Sequence, residues 1–224
     1  MPLLKGRIEE FLSHEGRPAR TGAKMLDIGC GRQPFRKSLE KLGYIYGSLD
    51  VVQNVDGTVE FVTALDAELP PSLLIAAPFD MLLCTEVLEH VADWPTAFLN
   101  LSKLLRPGGC ILITCPHFFP LHETPFDYWR PTSFAIETHA KRVGLNVERI
   151  ERAGDDWEVL GTLLASTEIH PRSGGFVQRA SAWLIRKLFR MGIRLISSGR
   201  LQRHTQIKSY LYVANIAVLR RPLC

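Results

Sequence analysis

The chain has 224 residues, of which 46% are hydrophobic and 22% are charged, and its formal net charge is +4 at pH 7. This composition is typical of a globular protein, and the length predicts a single domain over residues 1–224. No apolar run approaches the roughly 18 residues of a membrane-spanning helix, and the charged residues that follow Leu4 argue against a signal-peptide core.

Short apolar runs alternate with helical patterns along the chain, beginning with a helix over residues 3–14. The runs that predict strands cover residues 24–28, 44–50, 58–63, 79–84, 110–115, 145–151 and 210–219. The patterns that predict helices cover residues 34–42, 95–105 and 132–143, and the RPGG sequence at 106–109 should stop the second of them. Irregular structure is predicted for residues 64–78, 116–131 and 152–175. The alternation predicts an α/β domain whose mostly parallel sheet is covered by helices on both faces.

The five cysteines show no metal-type CxxC spacing, and three of them lie in apolar, strand-like runs. They are Cys30, Cys84, Cys110, Cys115 and Cys224. We therefore expect reduced core thiols and a cytoplasmic protein.

A glycine-rich turn follows the first predicted strand, in the sequence MLDIGCGRQP at 25–34. Gly29 and Gly31 allow a tight turn and a close approach of backbone N–H groups to a ligand. Asp50 ends the second predicted strand, where a carboxylate can accept hydrogen bonds from a ribose diol. A nicotinamide-dependent oxidoreductase would use the same plan, but Pro34 replaces the third glycine of its motif. Asp27 would repel a pyrophosphate and could hold an ammonium group, which favours a ligand with an amino acid part and a ribose.

Four further motifs follow this turn in order: LD at 49–50, DAELP at 66–70, FDMLLCTEVLEHV at 79–91 and LLRPGGCILITCP at 104–116. Together they resemble the successive motifs of class I S-adenosylmethionine-dependent methyltransferases, and more closely the type 11-like members with VLEHV and RPGG signatures. The resemblance runs from residue 24 to about residue 150. It implies a Rossmann-like, doubly wound, three-layer α/β/α fold with seven strands, the last of them antiparallel. It also implies S-adenosylmethionine bound at the carboxyl ends of the strands.

The resemblance also implies cofactor-binding residues. Those expected along the amino acid part and the ribose are Asp27, Gly29, Cys30, Gly31, Asp50 and Val51. Those expected at the adenine and at the methionine end are Asp66, Ala67, Cys84 and Glu86. The family often has a third glycine where this chain has Gln33. Asp66 and Glu86 could instead be capping or surface carboxylates.

The segment PHFFPLHETPFDYWRPTSF at 116–134 begins where the fifth strand should end, which is where open α/β sheets bind their ligands. Its prolines and aromatic residues suit a stiff lid that aligns an acceptor with the methyl group, and alignment can contribute more than a general base. The candidate catalytic residues are His122 as first choice of base, His117 as second, Glu123 or Asp127 to orient the imidazole, and Tyr128 or Arg130 to bind an acceptor.

Two other interpretations of this segment stay open. Asp127 and Arg130 could form a salt bridge that only holds the loop. His117, His122, Glu123 and Asp127 have the donor types of a metal site, but their spacing matches no strong metal pattern, and we predict no metal.

The C-terminal part of the chain is strongly basic. Residues 169–224 contain eleven Lys or Arg and no Asp or Glu, so residues 1–168 hold the other 16 basic and all 23 acidic residues, a net of −7. The region around 155–208 is predicted to be a basic helical insertion before the last strand, with a helix over 176–198. On this helix the residues Arg179, Arg186, Lys187, Arg190 and Arg194 fall within about 100° when successive residues are 100° apart.

This helix has an apolar side that includes Val177, Leu184, Leu188, Met191 and Leu195. The pattern is typical of an interfacial membrane helix. A helix that packs on the domain, or on a second copy in a homodimer, has the same pattern. Nucleic acid binding is not favoured, because no recognised RNA-binding module is present.

We therefore expect an S-adenosylmethionine-dependent methyltransferase that methylates a small-molecule, sugar or lipid-linked acceptor at oxygen, with a loop histidine as base. Peripheral contact with the inner membrane surface through 176–198 is an added expectation. The alternatives are a nicotinamide-dependent oxidoreductase and a non-catalytic, cofactor-binding protein of the membrane surface.

Overall fold

The computed structural model describes residues 2–14, 16–171, 174–199, 203–204 and 210–223. The chain divides into two compact units. The first consists of Met1–His117, Leu121–Ala153 and Ala214–Cys224, and the second of Phe118–Pro120 and Gly154–Val213. That residues 1–224 act as a single domain stays a prediction.

The first unit is built on a mixed sheet. Its strands are β1 (Lys24–Ile28), β2 (Ile45–Asp50), β3 (Phe61–Val62), β4 (Phe79–Thr85), β5 (Leu105–Pro116), β6 (Asn146–Ala153) and β7 (Ala214–Arg220). These seven strands lie in the order β3-β2-β1-β4-β5-β7-β6. β1 pairs in parallel with β2 and β4, whereas β7 runs antiparallel to both β5 and β6. The predicted Rossmann-like α/β fold with an antiparallel last strand is confirmed.

The helices of this unit are α1 (Pro2–His14), α2 (Arg36–Lys41), α3 (Pro71–Ala76), α4 (Trp94–Leu104) and α5 (Ser133–Arg142), and a short 3-10 helix, Leu88–His90, follows β4. Side-chain caps start the two longer helices that follow β4 and β5. Asp93 accepts a hydrogen bond from the N–H of Thr96, and Thr132 accepts one from the N–H of Ala135.

The central strands are buried on both faces. Leu26 and Ile28 of β1 are fully buried and belong to one core cluster with Phe98 and Leu101 of α4. Met25 is equally buried but does not belong to this cluster, because alternate residues of a strand point to opposite faces. This double burial explains why the strands appear in the sequence as continuous apolar runs.

β3 is shorter than the predicted strand over 58–63, because side chains replace part of the ladder. The amide of Gln53 accepts a hydrogen bond from the N–H of Val59 and donates one to its carbonyl. The hydroxyl of Ser48 accepts from the N–H of Glu60. The pairing with β2 therefore begins only at Phe61.

Two helices lie in segments predicted to be irregular. α3 lies within 64–78, and α6 (Asp156–Ser166) lies within 152–175. Local signals for both were present: Pro71 occupies the first turn of α3, and Asp155 with Glu158 forms a capping box before α6. The segment 116–131 is irregular after Pro116, as predicted.

Two predicted boundaries were wrong. The strand predicted over 110–115 begins at Leu105, because Leu105 already pairs with Phe79 of β4. The strand predicted over 210–219 begins at Ala214, and Tyr210 and Leu211 are exposed.

The second unit contains α6 and the longer α7 (Phe176–Ser197), which pack against each other. Ile196 of α7 lies beside Gly161 of α6, and Leu164 of α6 lies beside Gly192 of α7. Both helices fall within the region predicted as a basic insertion. In the part of the chain that the structure describes, no helix is long and apolar enough to cross a membrane.

The turn after β1 depends on glycine at position 29. Gly29 has a φ of +66°, and a Cβ there would overlap the side chain of Val87 in the segment that follows β4. Its N–H donates to the carbonyl of Leu49 at 2.8 Å, which ties the turn to the end of β2. The ends of β1, β2 and β4 are thus held together at one residue.

We expect Gly29→Ala to lower the free energy of unfolding by about 2–4 kcal/mol, because it adds a steric overlap to the strain of a positive φ. Gly57→Ala is the matched control, since Gly57 has the same φ of +66° with no atom within 4 Å of a Cβ. It should cost only about 1 kcal/mol. Urea unfolding measures both, and equal losses would show that the contact with Val87 contributes nothing.

Candidate active site

A cavity of about 680 Å³ lies at the carboxyl ends of β1, β2 and β4. The order of the strands reverses between β1 and β4, and open α/β sheets bind ligands at this point. Residues from three connections line the cavity: Gly29 and Gly31 after β1, Asp50, Val51 and Val52 at the end of β2, and Glu86, Val87, His90 and Val91 after β4. Ala64, Leu65, Asp66, Glu123 and Phe126 complete the wall together with Ile28 and Leu49.

Asp50 faces the glycine turn. Its Oδ2 accepts a hydrogen bond from the N–H of Gly31 at 2.8 Å, and its Oδ1 lies 3.4 Å from the N–H of Val52. These bonds fix the carboxylate at the rim of the cavity. A carboxylate at this place can accept hydrogen bonds from vicinal hydroxyl groups.

Gln33 takes the place of the family's third glycine and adopts a glycine-like conformation, with a φ of +56°. Its side-chain amide donates to the carbonyl of Thr58 at 2.9 Å, and its N–H donates to the carbonyl of Cys30 at 2.7 Å. These bonds offset a strain of about 1–2 kcal/mol. The turn therefore keeps its shape without the glycine.

Asp66 lines the cavity beside the start of α4. Its Oδ2 accepts a hydrogen bond from the N–H of Asp93 at 3.1 Å. Asn100 of α4 holds the same loop by donating to the carbonyls of Leu65 and Ala67. The bond to Asp93 agrees with a capping role for Asp66, and its position in the cavity wall agrees with a role in cofactor binding.

Four of the expected cofactor residues do not line the cavity: Asp27, Cys30, Ala67 and Cys84. Asp27 is buried beneath the turn, where the hydroxyl of Tyr46 donates to its Oδ2 at 2.7 Å. Burial raises the pKa of the Asp27 carboxyl to about 7. Burial also raises the pKa of the Cys30 thiol to about 11 and that of the Cys84 thiol still further, so both sulfur atoms stay protonated.

Glu86 forms the wall at the end of β4. Its φ is +55°, its N–H donates to the carbonyl of Thr114, and its Oε1 accepts from the hydroxyl of Thr114 at 3.0 Å. Burial raises the pKa of its carboxyl. Within the described ranges, the non-glycine residues with positive φ are Gln33, Glu86 and Glu123, and two of them line the cavity. Backbone strain of this kind tends to concentrate at functional sites.

The segment 116–131 is clamped onto the residues that follow β4. The N–H groups of Tyr128 and Trp129 donate to the carbonyl of Glu89 at 2.8 and 3.2 Å. The indole of Trp129 donates to the carbonyl of Val91 at 2.8 Å. Nδ1 of His90 lies 2.7 Å from the carbonyl of Phe126, so it is the nitrogen that carries a proton. Residues 126–129 of the segment are therefore held against the residues that follow β4.

His122, Asp127 and Arg130 form a connected group in the same segment, next to the lining residues Glu123 and Phe126. Nδ1 of His122 lies 3.3 Å from Oδ2 of Asp127, and the N–H of His122 donates to the same oxygen at 2.8 Å. Arg130 binds both oxygens of Asp127, at 2.6 and 2.7 Å. The hydrogen bonds from Arg130 hold the pKa of Asp127 well below its usual range, so the carboxylate is ionised. The imidazole of His122 packs edge-on against that of His90, with ring centroids 4.8 Å apart.

Glu123 lines the cavity, and its Oε2 lies 3.8 Å from Nε2 of His90. The other candidate catalytic residues do not line it: His117, His122, Asp127, Tyr128 and Arg130. Nδ1 of His117 lies 3.0 Å from the carbonyl of Pro131, and Tyr128 is 45% exposed. The structure thus brings His122, Asp127 and Arg130 together.

Glu89 was not among the predicted site residues. Its carboxyl is fully buried, and within the described residues Oε1 has no hydrogen-bond partner, while Oε2 lies 3.7 Å from the thiol of Cys115. Burial, reinforced by the charge of Glu86, raises the pKa of Glu89 to about 8. Oε1 lies 4.0 Å from Nε2 of His122 and 3.8 Å from Nε2 of His90. The sequence signal for this acid was its place in the VLEHV motif at 87–91.

The described residues include one group with the geometry of potential metal ligands: Glu89, His90 and His122 offer donor atoms within 4.8 Å of one another. It shares only His122 with the metal alternative considered from the sequence. The prediction that no metal is bound stays a prediction.

The sheet order, with the antiparallel β7 between β5 and β6, and the cavity at the switch point agree with the fold expected from the resemblance to methyltransferases. Residues 3–150 of the 224 match the sequence profile of a family described as a methyltransferase domain. The chain therefore belongs to this family, and the expected class, the S-adenosylmethionine-dependent methyltransferases, is confirmed.

Individual relatives agree with this class. The chain is 34% identical over 120 residues to a ubiquinone biosynthesis O-methyltransferase of Xanthomonas euvesicatoria pv. vesicatoria strain 85-10. The match covers 46% of this chain and 45% of the relative. The match thus spans less than half of that relative's length. An S-adenosylmethionine-dependent methyltransferase of Archaeoglobus fulgidus superposes with a TM-score of 0.58 at 14% identity, covering 98% of this chain and 94% of that one.

A third relative has a known ligand. The 1,6-didemethyltoxoflavin-N1-methyltransferase of Burkholderia thailandensis, solved with 1,6-didemethyltoxoflavin and S-adenosylhomocysteine, superposes with a TM-score of 0.58 at 14% identity. The superposition covers 98% of this chain and 78% of that one. At this level of identity the two solved structures support the fold.

S-adenosylmethionine is the cofactor of this class, and the site fits it. The carboxylate of Asp50 suits a ribose diol, and the missing side chains of Gly29 and Gly31 leave backbone exposed at the cavity wall. The volume of about 680 Å³ lies within the usual range for small-molecule sites. The wall around Ala64, Leu65 and Val51 is apolar, as a base such as adenine requires.

Glu89 should make the stability of the protein depend on pH. Because its pKa in the folded state, about 8, lies above the 4.5 that is usual for a glutamate in an unfolded chain, the folded state keeps a proton that the unfolded state releases. Its contribution to stability is therefore complete below pH 4.5 and is lost as the pH rises through 8. Glu89→Gln removes this dependence, so the variant should gain stability over the natural protein as the pH rises from 5 toward 8.

Urea unfolding between pH 5 and pH 9 measures this difference, with the exposed Glu68→Gln as control. Glu68→Gln should follow the natural protein at every pH. A constant gap between Glu89→Gln and the natural protein would mean that Glu89 is ionised in the folded state.

Proposed function

We propose that this protein transfers the methyl group of S-adenosylmethionine to a hydroxyl oxygen of a small-molecule, sugar or lipid-linked acceptor. The observation that carries the proposal is that one cavity is lined by two kinds of residue. The glycine turn and Asp50 line it, which suits a cofactor with a ribose, and so do the polar side chains of Glu86, His90 and Glu123. The name of the Xanthomonas relative, an O-methyltransferase of quinone biosynthesis, supports oxygen as the methylated atom.

Asp50, Gly29 and Gly31 would hold the cofactor, with Asp66 on the adenine side. When bound, the cofactor supplies an electrophilic methyl group on a sulfonium. The buried carboxyl of Asp27 supports the glycine turn from below, through its hydrogen bond with Tyr46. Val87 packs into the space above Gly29 and fixes the distance between the turn and the residues that follow β4.

His122 would act as the general base that accepts the proton of the acceptor hydroxyl. The ionised carboxylate of Asp127 favours the tautomer in which Nδ1 carries the proton, which makes Nε2 the basic nitrogen. Nε2 faces Oε1 of Glu89, on the side of the ring that also carries His90. Arg130 holds Asp127 from the other side and thereby fixes the orientation of the imidazole.

Positioning should contribute more than proton transfer. Correct alignment of two reactants can contribute about 7–11 kcal/mol, whereas a general base typically adds about 10²–10⁴-fold. The clamped segment 116–131 supports such alignment, because Trp129 and the backbone of Tyr128 bind it to the residues after β4. An acceptor would lie against Phe126 and Glu123 of this wall.

The family match argues against the nicotinamide-dependent oxidoreductase. The non-catalytic alternative makes a different prediction from ours, namely cofactor binding without turnover. The two variants below separate these outcomes.

We expect Asp50→Ala to weaken the binding of S-adenosylmethionine about 10–100-fold, because it removes a charged acceptor of hydrogen bonds. Isothermal titration calorimetry measures the affinity. Asp56→Ala is the control, since Asp56 is exposed in the loop that follows β2 and does not line the cavity. An unchanged affinity in Asp50→Ala would remove Asp50 from the binding site.

We expect His122→Ala to lower kcat by about 10²–10⁴-fold at saturating acceptor while leaving cofactor affinity unchanged. The assay uses methyl-labelled S-adenosylmethionine with cell extract to identify the labelled product, and then with the corresponding unmethylated acceptor in purified form. His170→Ala is the control, because His170 is an exposed histidine of the second unit. Normal turnover in His122→Ala would exclude the base, and cofactor binding with no label transferred to any fraction would favour the non-catalytic alternative.

A further inference from the structure

α7 carries three distinct faces along its length. A helix places successive residues about 100° apart, so residues that share a face recur every three or four positions. One face of α7 is wholly or partly buried, a second is apolar and exposed, and a third is basic and exposed. Most amphipathic helices of a globular protein have a single apolar face, and that face packs on a core.

The first face is already used inside the second unit. Ala182 and Ile196 are buried, and Phe189, Gly192 and Ile193 are partly buried. Ile196 and Gly192 lie beside Gly161 and Leu164 of α6. The packing of α6 on α7 therefore accounts for this face.

The second face is apolar and exposed. It consists of Val177, Leu184, Leu188, Met191 and Leu195, which are between 41% and 73% exposed. These residues fall within an arc of about 60° and extend along most of the helix. Contiguous apolar surface of this kind marks a site of interaction.

The third face is basic and borders the second. Arg179, Arg186, Lys187, Arg190 and Arg194 are all exposed there. Trp183 lies among them and is 59% exposed. The ammonium of Lys187 lies 5.1 Å from the centre of the Trp183 ring. No Asp or Glu occurs after Glu168 in the sequence, so no acidic side chain of this part of the chain balances these charges.

We propose that α7 docks on an anionic lipid bilayer, with its exposed apolar face in the acyl boundary and its basic face against the headgroups. An apolar stripe bordered by arginines and a tryptophan matches the layers of a bilayer surface, which is apolar below and negatively charged above. Tryptophan prefers this boundary because its ring is apolar and its N–H is polar.

A second copy of the chain fits this surface less well. Two α7 helices brought together on their apolar faces would place ten basic side chains along one interface, with no acidic residue of either helix between them. Like charges in such positions cost affinity. A nucleic acid would satisfy the basic face but would leave the apolar face in water.

The experiment uses the full chain and sedimentation with unilamellar vesicles, either of phosphatidylcholine alone or of phosphatidylcholine mixed with phosphatidylglycerol. We expect binding to the mixed vesicles, weakening as salt is raised, and little binding to phosphatidylcholine alone. We also expect a blue shift of the tryptophan emission on binding, and its loss in Trp183→Phe.

Two variants separate the contributions of the two faces. Arg186→Glu with Arg190→Glu should lower the partition coefficient at least about 25-fold, because each basic group near an anionic surface contributes about fivefold. Leu184→Gln with Leu188→Gln should abolish the blue shift while leaving a weak, salt-sensitive attraction. Lys37→Glu with Lys103→Glu is the matched control, since it makes the same change of charge on exposed residues of the first unit.

Equal loss in the control and in the arginine variant would overturn the proposal, because it would show an attraction set by net charge. No binding of the natural protein to mixed vesicles would also overturn it. So would a dimer of the natural protein that Leu184→Gln with Leu188→Gln converts to a monomer, since the apolar face would then be covered by a second copy. If a variant fails to fold by circular dichroism, the lipid and salt dependence of the natural protein decides the question.

Discussion

The reversal of strand order between β1 and β4 is the constraint on which the site depends. β2 and β3 extend the sheet on one side of this pair, and β5 extends it on the other, so the connections leaving β1 and β4 separate and open a crevice. Gly29 and Val87 meet in that crevice. The side chain of Val87 fills the space that a Cβ on residue 29 would occupy. Gly29 and Val87 both line the cavity, together with Glu86, whose φ is +55°.

Much of this architecture could be predicted from the sequence, because the physical signals were local. Buried parallel strands appear as continuous apolar runs, and the glycines that the turn requires stand directly after β1. Asp50 could be predicted because its position is fixed by the end of a strand. The same reasoning placed His122, Asp127 and Arg130 on one loop and considered the Asp127–Arg130 salt bridge that the structure contains, but it did not reveal that these three residues lie outside the lining of the cavity.

Other features depend on contacts between distant residues and could not be predicted. Glu89 is fully buried, and its carbonyl accepts hydrogen bonds from the N–H groups of Tyr128 and Trp129, which lie more than thirty residues later in the chain. The shortness of β3 results from Gln53 and Ser48, whose side chains replace backbone partners. α3 and α6 are a different case, because their capping signals were local and a search for such signals would have found them.

The placement of β7 also determines the order in which the sheet can be completed during synthesis. In the described part of the chain, β6 joins the sheet through β7, and β7 also covers the outer edge of β5. Its residues leave the ribosome only after Gly154–Val213, so until then β5 and β6 present open edges to other chains. A protein cut at residue 150, where the family match ends, would retain every residue that lines the cavity. It would nevertheless carry an unprotected hydrophobic strand, and we would expect it to be recovered as aggregate.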